Sequence, residues 1–454
     1  MSVIWAEQAL LPGGWADRVA VTLAGGRIAS VVADTPAPVG AHRVGLLLPA
    51  ATNLHSHAFQ RAMAGLTEAR GPDPADTFWT WRRQMFAFLD RMTPEDVQAV
   101  TAWAYLEMAE AGFAAVAEFH YLHHGQGGLP YADLAEMSGR ICAAADQTGL
   151  GLTLLPVLYM QGGCDGRALA PGQDRFGNGL DRFARLLDGA EAQAAALPPD
   201  TVIGVAPHSL RAVPPDALDW IARLRPGAPL HMHLAEQVAE VAEVEAALGA
   251  RPVAWLLANA PVDARWCLIH CTQMTRAETL ALAATGAVAG LCPVTESSLG
   301  DGIFDGVAWF GAGGRWGIGS DSNIRISWSE ELRTLDYSQR LRDRSRAALA
   351  TADRSTGRVL VQGAAQGGAQ AAGRDAGRIE PGRLADLVAL DTGHPDMAGR
   401  RGDTALDTVV FARDDRQVRQ VWSAGRHIVQ DGQHPARGAI TAAYRAAMAR
   451  LRGG

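Results

Sequence analysis

Two segments of the chain carry histidines at alternate positions. His55 and His57 form one pair, and His231 and His233 form another, with Glu236 three residues beyond the second pair. In an extended segment, side chains two residues apart project to the same side. Each pair can therefore hold one cation, although two hydrogen-bonded polar histidines without a metal fit an isolated pair equally well.

Two further polar residues end other apolar segments. His270 closes one, and Asp321 lies within Gly319-Ser-Asp-Ser-Asn323 after another. If these segments are parallel strands of one barrel, the histidines of three segments and the aspartate of a fourth meet at the same face of that barrel. Nitrogen and oxygen ligands that leave a position open for water are typical of a catalytic metal site.

The elements that must position these residues are short apolar segments separated by helical stretches. The segments are 45–54, 114–120, 150–159, 201–207, 229–234, 266–270, 287–293 and 316–320. Apolar strands that alternate with helices indicate a parallel sheet covered on both faces. Eight of them predict an α/β fold, a (β/α)8 TIM-like barrel with its site at the carboxyl ends of the strands. A doubly wound sheet is the alternative.

The helical stretches have recognisable starts. Thr93-Pro-Glu-Asp96 supplies a capping residue, a proline in the first turn and acids near the positive end of a helix. Residues 234–248 and 276–284 are predicted as helices in the same way.

Both ends of the chain show β signals instead. They occur at 19–23, 27–32, 384–390, 408–411, 418–422 and 425–429. We predict a small β-sandwich domain built from residues 1–48 and 376–454, with a terminal helix from about Ile440, beside a barrel of residues 49–375.

The composition and charge of the chain argue against several classes of function. The chain has 454 residues, 48% of them hydrophobic and 20% charged, with a formal net charge of −7. This is ordinary globular composition, and it gives no electrostatic footprint for nucleic acid. We expect no membrane span and no signal peptide. With five scattered cysteines, we expect a cytoplasmic protein with reduced thiols.

Lysine is absent, so all 41 basic residues are arginines. This excludes a Schiff base and a carbamylated lysine bridging two metals. Cys267 and Cys271 flank His270 at a spacing that also suggests a metal pair, but a zinc site there needs two more soft ligands nearby.

The combined pattern resembles the amidohydrolase superfamily. The shared features are His-x-His after strand one, His-x-His-x-x-Glu after strand five, His after strand six and Ser-Asp after strand eight, together with residues 377–391 of the tail. Residues 53–68 (NLHSHAFQRAMAGLTE) closely resemble the N-formimino-L-glutamate deiminases of histidine breakdown, as do residues 79–82, 118–123 and 207–211. The resemblance covers essentially the whole chain.

The resemblance implies one Zn²⁺ per chain and the hydrolysis of N-formimino-L-glutamate to N-formyl-L-glutamate and ammonia. The implied metal ligands are His55, His57, His233 and Asp321. The implied catalytic groups are Glu236 as proton shuttle, His270 as hydrogen-bond donor and Asp321 as acceptor of a proton from water. His233 is preferred to His231 because it lies three residues before Glu236, which leaves His231 deeper in the barrel as support.

The substrate is a small dicarboxylate, for which arginine is the best partner. The resemblance assigns Arg82 and Arg211 to its carboxylates, with Arg83 as the competitor of Arg82. It assigns further hydrogen bonds to Gln60, Tyr121 and His208. His120, His123 and His124 are interpreted as structural, and a homodimer is implied by the family alone.

Three other functions remain open from the sequence. A nucleobase-type deaminase acting on a guanine-, cytosine- or adenosine-like ring would share the metal ligands but would need aromatic stacking and amide groups rather than two arginines. A non-catalytic scaffold on the same barrel would have lost ligands. A lyase or isomerase barrel would favour an oxygen-rich site.

Overall fold

Strands run through both the ends and the centre of the protein. The computed structural model describes residues 1–68, 81, 85–86 and 88–452. Its strands are β1 (Ser2–Leu11), β2 (Gly14–Ala24), β3 (Arg27–Val32), β4 (His42–Pro49), β5 (Ala51–Ser56), β6 (Phe113–His120), β7 (Gly151–Leu158), β8 (Val202–Ile203), β9 (Ala206–Pro207), β10 (Leu230–Leu234), β11 (Trp266–His270), β12 (Val288–Leu291), β13 (Arg315–Ile318), β14 (Leu387–Leu390), β15 (Val418–Ser423) and β16 (Arg426–Val429).

Helices separate the central strands and also follow the last of them. They are α1 (Pro94–Glu110), α2 (Glu136–Thr148), α3 (Leu180–Ala194), α4 (Pro215–Leu224), α5 (Val238–Leu248), α6 (Pro252–Asn259), α7 (Arg276–Ala283), α8 (Pro293–Leu299), α9 (Gly306–Gly311), α10 (Trp328–Asp343), α11 (Thr356–Ala371), α12 (Asp403–Phe411) and α13 (Arg437–Arg452). Thr93 caps α1 as predicted, and it shares a capping box with Asp96.

The central strands pair in parallel and form the predicted barrel. One run joins β5, β6, β7 and β8, with β9 also on β7, and a second joins β10, β11, β12 and β13. A bridge between Val205 and Leu230 connects the two runs, and a bridge between Ser56 and Asp321 closes the ring. The prediction of a (β/α)8 TIM-like barrel is confirmed, and the doubly wound alternative is excluded.

A second sheet contains strands from both ends of the chain, as predicted. Its seven strands follow the order β16-β15-β14-β4-β1-β2-β3. Residues such as Ile4, Val21, Leu47, Leu387 and Trp422 pack into one buried cluster on this sheet. The described strands of the terminal domain therefore share one hydrogen-bonded sheet, and six of the seven contribute to this cluster.

Two predicted segments differ in detail. Segment 45–54 is two strands, because β4 pairs with β1 and β14 in the terminal sheet while β5 pairs with β6 in the barrel. Segment 201–207 is interrupted at Gly204, where a side chain would lie 2.6 Å from the carbonyl oxygen of Pro229.

The prediction of a strand at 408–411 is wrong, because these residues belong to helix α12. Leu406, Val409 and Val410 are buried there, at the three- and four-residue spacing of a helix face. Taken alone, the apolar run Val409–Phe411 is typical of a strand. Together with Leu406 in the preceding turn, it shows the spacing of a buried helix face. The terminal helix α13 begins at Arg437, three residues before the predicted start.

Within the part of the chain that the structure covers, no helix is both long enough and apolar enough to cross a bilayer.

A buried ion network joins the barrel to the terminal sheet. The Arg374 guanidinium, whose side chain is fully buried, lies 3.0 Å from carboxylate oxygens of both Asp200 and Asp386. Arg426 also donates to Asp200, at 2.6 and 2.8 Å. The network thus connects the segment just before β8, the segment just after α11, the residue that precedes β14 and strand β16.

We expect Arg374→Met to destabilise the protein strongly. Removing one partner leaves buried carboxylates without compensation, which costs about 3–5 kcal/mol. The matched control is Arg27→Met, because Arg27 pairs with Asp375 where both side chains are about half exposed and such a pair contributes little. Thermal unfolding midpoints should fall far more for Arg374→Met, and equal midpoints for the two variants would contradict this role of the network.

Candidate active site

The first metal-ligand pair is placed by strand β5 and its hydrogen bonds to the last barrel segment. His55 and His57 lie at the carboxyl end of β5, and every residue of that strand is buried. The backbone N–H of His57 donates to the carbonyl of Asp321 at 2.9 Å, and the Asp321 N–H donates to the carbonyl of His55 at 2.9 Å. Closure of the barrel therefore brings these three residues together.

Four side chains converge at this point. The Nε2 atoms of His55 and His233 are 3.1 Å apart. Asp321 Oδ1 lies 3.4 Å from His55 Nε2 and 3.3 Å from His57 Nε2. One ligand-type atom from each of the four residues lies within 4.8 Å of the others, so the predicted set forms one buried cluster.

The hydrogen bonds around the cluster show which ring nitrogens are available. His57 Nδ1 lies 3.0 Å from the carbonyl oxygen of Phe119, and His233 Nδ1 lies 3.1 Å from that of His208. A carbonyl accepts only, so each Nδ1 carries the hydrogen and each Nε2 keeps its lone pair. The lone pair of His57 Nε2 faces Asp321 Oδ1, and that of His233 Nε2 faces His55 Nε2 inside the cluster.

Electrostatics also favour a cation between these groups. Burial lowers the pKa of His55 to about 3 and lowers those of His57 and His233. Burial alone would raise the pKa of the Asp321 carboxyl, but the hydrogen bond to His55 and the surrounding imidazoles lower that pKa below its usual value. Neutral imidazoles and a carboxylate with converging lone pairs suit a divalent metal such as zinc.

Glu236 and His270 lie beside the cluster. His270 Nε2 is 3.8 Å from Glu236 Oε1 and 3.8 Å from Asp321 Oδ2. Burial raises the pKa of Glu236 to about 7, which suits a group that takes up and releases a proton near neutral pH. Burial disfavours the charged His270 ring, yet the carboxylates of Glu236 and Glu296 raise its pKa well above the usual value.

One cavity contains the cluster, both of these groups and most of the predicted substrate contacts. It has an empty volume of about 540 Å³. Its lining includes His57, His233, Glu236, His270 and Asp321, together with Gln60, Tyr121, His208 and Arg211. Every predicted site residue that the structure describes lines this cavity except His55, which belongs to the four-residue cluster beside it.

The polar lining is partly prearranged. Gln60 Nε2 donates to the Tyr121 hydroxyl at 2.7 Å, and Gln60 Oε1 is buried without a hydrogen-bond partner among the described residues. Arg211 is only 5% exposed. Arg82 and its competitor Arg83 fall outside the described residues, so their assignment to a carboxylate stays a prediction.

Sequence reasoning missed two carboxylates that support the site. Glu240, near the start of α5, accepts the backbone N–H of Ala235 at 3.2 Å and that of Glu236 at 2.8 Å. Glu296, in α8, lies 3.3 Å from His270 Nδ1. The available signal was an acid in the first turn of the helix that follows a barrel strand, but such acids usually cap helices.

The other histidines considered in the sequence analysis lie outside the metal-ligand cluster and contact backbone carbonyls or each other. His231 Nε2 contacts the carbonyl of Ala371 at 2.7 Å, deeper in the barrel. His123 and His124 contact the carbonyls of Val157 and Gly177, and His120 packs on His123. Cys267 and Cys271 are free thiols and belong to neither group of metal-type ligands found among the described residues.

The family follows from comparison with known proteins. The Amidohydrolase family matches residues 46–428, and the family described as "Formimidoylglutamate deiminase HutF, N-terminal domain" matches residues 1–44. A formimidoylglutamate deiminase from Pseudomonas aeruginosa is 48% identical over 438 residues, which is 96% of each chain. The chain belongs to the formimidoylglutamate deiminase family of amidohydrolases.

The structural comparison agrees with this family. A crystal structure titled as an amidohydrolase from Brucella melitensis has a TM-score of 0.96 and 48% identity, covering 99% of this chain and 100% of that one. A more distant relative is an 8-oxoguanine deaminase from Pseudomonas aeruginosa, 28% identical over 85% of this chain and 83% of its own. Sequence similarity over most of the chain therefore extends beyond the formimidoylglutamate deiminases.

Proposed function

We propose that the protein hydrolyses N-formimino-L-glutamate to N-formyl-L-glutamate and ammonia in histidine degradation. The observation that carries this is one cavity in which a buried His/Asp cluster, Glu236 and Arg211 occur together. The 48% identity to a formimidoylglutamate deiminase supports the same substrate. A scaffold without activity is disfavoured because His55, His57, His233 and Asp321 are all present and clustered.

The cluster would hold one zinc ion per chain through His55, His57, His233 and Asp321. A bound zinc ion supplies Lewis acidity and lowers the pKa of water towards neutrality. The absence of lysine from the sequence removes the usual carbamylated bridge of a binuclear site. The remaining chemistry belongs to the protein's own side chains.

Three side chains move or hold the protons. Asp321 accepts a proton from the attacking water, and His270 donates a hydrogen bond to the water-derived oxygen. Attack on the planar formimino carbon gives a tetrahedral centre, whose collapse leaves a formyl C=O and breaks the bond to the terminal nitrogen. Glu236, with a pKa near neutrality, delivers a proton to that nitrogen, so ammonia leaves rather than an amide anion.

Substrate recognition is assigned to the charged and polar part of the lining. The glutamate portion carries two carboxylates, and we propose Arg211 and Arg82 as their partners. Arg211 is buried in the cavity wall close enough to Glu236 for each to influence the pKa of the other. Gln60, Tyr121 and His208 would supply hydrogen bonds, and the open acceptor Gln60 Oε1 can receive a substrate N–H.

We expect Arg211→Met to reduce kcat/KM for N-formimino-L-glutamate. A charge-assisted hydrogen bond contributes about 1.5–3 kcal/mol, which corresponds to a loss of roughly ten- to more than a hundredfold. Steady-state kinetics of ammonia release measure this. Arg374→Met is the matched control, because it removes a buried arginine away from the cavity and should keep kcat/KM at a temperature where it is folded.

Arg82→Met should act in the same direction as Arg211→Met. Unchanged kinetics in both variants would keep the reaction but refute this account of recognition, and Arg83 would then be tested.

The substrate assignment is tested by comparing ammonia release from four compounds. They are N-formimino-L-glutamate, N-formimino-L-aspartate, formiminoglycine and guanine. A site that recognises two carboxylates loses a charge-assisted contact when one carboxylate is missing from the substrate, so formiminoglycine should be a much poorer substrate than formiminoglutamate. Faster turnover of guanine than of formiminoglutamate would refute the proposal and favour a nucleobase deaminase.

Two further parts of the proposal are a cytoplasmic location and a homodimer. The location is expected from the scattered cysteines, and the homodimer rests on family resemblance alone. Size-exclusion chromatography with light scattering measures the mass in solution, and a mass of a single 48.0 kDa chain would refute the dimer.

A further inference from the structure

Glu296 is a buried carboxylate behind the predicted reacting centre. It lies in α8, the helix that follows barrel strand β12, and it is 5% exposed. Its Oε1 atom is 3.3 Å from His270 Nδ1 and accepts the backbone N–H of Cys292 at 2.8 Å. The carboxylate therefore touches both the start of its own helix and the histidine at the end of the neighbouring strand.

His270 is held between this carboxylate and the site. Its ring is 1% exposed, and its backbone has a φ of 70°, in the left-handed region that a non-glycine residue adopts only when its surroundings impose it. Nδ1 faces Glu296, while Nε2 faces Glu236 and Asp321 at 3.8 Å each. The two ring nitrogens thus have separate tasks.

A carboxylate on one imidazole nitrogen fixes both the tautomer and the orientation of the ring. Here the carboxylate can only accept, so Nδ1 is the donor and Nε2 remains for the reaction. Without Glu296, the ring could rotate about its χ angles and turn Nε2 away from Glu236 and Asp321.

We propose that Glu296 is the positioning residue for His270: it accepts the Nδ1–H and keeps Nε2 directed at Glu236, Asp321 and the substrate. The proposal rests on the proposed function in that His270 acts in that reaction. It deepens that function by adding a carboxylate that touches neither substrate nor metal ligand and yet controls turnover.

Helix capping is the competing explanation for this carboxylate. Glu296 is the fourth residue after the N-cap position Cys292, one residue beyond the usual capping-box position, and its side chain accepts the N-cap N–H as a glutamine oxygen also could. Glu296→Gln therefore keeps the cap and the shape of the side chain but removes the negative charge that holds His270. Capping alone predicts that this variant turns over normally, whereas positioning predicts a loss of turnover.

We expect Glu296→Gln to lower kcat by roughly 10–100-fold, the usual effect of losing a supporting carboxylate, with little change in KM, metal content or Tm. The matched control is Glu278→Gln. Glu278 is also a buried glutamate in the first turn of a helix, 7% exposed and accepting the N–H of the N-cap residue Thr275 at 2.7 Å, but its partner is Arg251 rather than a histidine. This control should keep wild-type kcat.

A double-mutant cycle tests whether Glu296 acts through His270. In a His270→Asn background, Glu296→Gln should cause no further loss, because coupled residues are not additive. A wild-type kcat in Glu296→Gln, or a loss that persists in the His270→Asn background, would overturn the proposal.

A readout independent of turnover separates this proposal from the substrate assignment. NMR of labelled histidine rings, with His270→Asn as the assignment control, should show His270 protonated at Nδ1 and a changed signal in Glu296→Gln. If wild-type protein fails to hydrolyse formiminoglutamate, the proposed function is wrong, while the ring spectra still decide whether Glu296 holds His270. An unchanged His270 signal in Glu296→Gln would refute the positioning role.

Discussion

Glu236→Gln should retain the bound metal while its kcat falls by about 10²–10⁴, the usual contribution of a positioned acid or base. The carboxylate lies 3.8 Å from His270 Nε2 and outside the four-residue cluster, and burial raises its pKa to about 7. Glutamine fills the same space but cannot carry the proton to the leaving nitrogen. Ammonia-release kinetics with elemental analysis of the same sample measure both quantities.

The matched control for this prediction is Glu243→Gln. Glu243 lies in α5, a short distance along the chain, and its partners are Arg167 and the backbone N–H of Cys164. It should keep near wild-type turnover. Loss of metal together with activity in Glu236→Gln would instead make Glu236 a ligand.

The double variant His55→Ala, His57→Ala should lose the metal and reduce ammonia release to background. Both Nε2 atoms lie within 3.4 Å of Asp321 Oδ1, so their removal takes two of the four donors from the cluster. Full metal retention with activity would contradict the assigned ligand set.

Metal counting on the wild-type protein adds a second outcome. One ion per chain is expected. Two tightly bound ions would contradict the mononuclear site, and the second would be sought at His270, Cys292 and Asp321, whose ligand-type atoms also lie within 4.8 Å of one another.

Much of the barrel and its metal-ligand cluster could be predicted from the sequence, because both follow from local patterns. Apolar strands that alternate with helices specify a parallel barrel, and the carboxyl ends of its strands must meet at one face. The strand ends predicted that histidines and Asp321 meet at one face, the resemblance to amidohydrolases implied His55, His57, His233 and Asp321 as the ligand set, and the structure places these four together.

What the sequence could not specify depends on tertiary contacts. Segment 45–54 is divided between two sheets because β4 finds β1 and β14 as partners, and no periodicity in the segment marks that division. Residues 408–411 became a helix because Leu406 and Val409 are buried on one face of it. In both cases packing outweighs the local strand preference.

The support behind the site was equally invisible in the sequence. His270 and Asp321 have φ values of 70° and 45°, and Ala235 has 51° before Glu236. These left-handed backbone conformations direct the side chains into the cavity, but the types of the residues do not predict them. From the sequence, Glu296 is likewise predicted only to cap a helix. Its contact with His270 depends on the packing of α8 beside the end of β11.

The central claim is that water replaces the terminal nitrogen of a formimino group, and product analysis tests it most directly. Wild-type protein incubated with N-formimino-L-glutamate should give N-formyl-L-glutamate and ammonia in equal amounts, observed by proton NMR and an ammonia assay on one sample. Formation of glutamate and formamide would show that the other C–N bond breaks. That result, or unreacted substrate with a metal-loaded sample, would contradict the account.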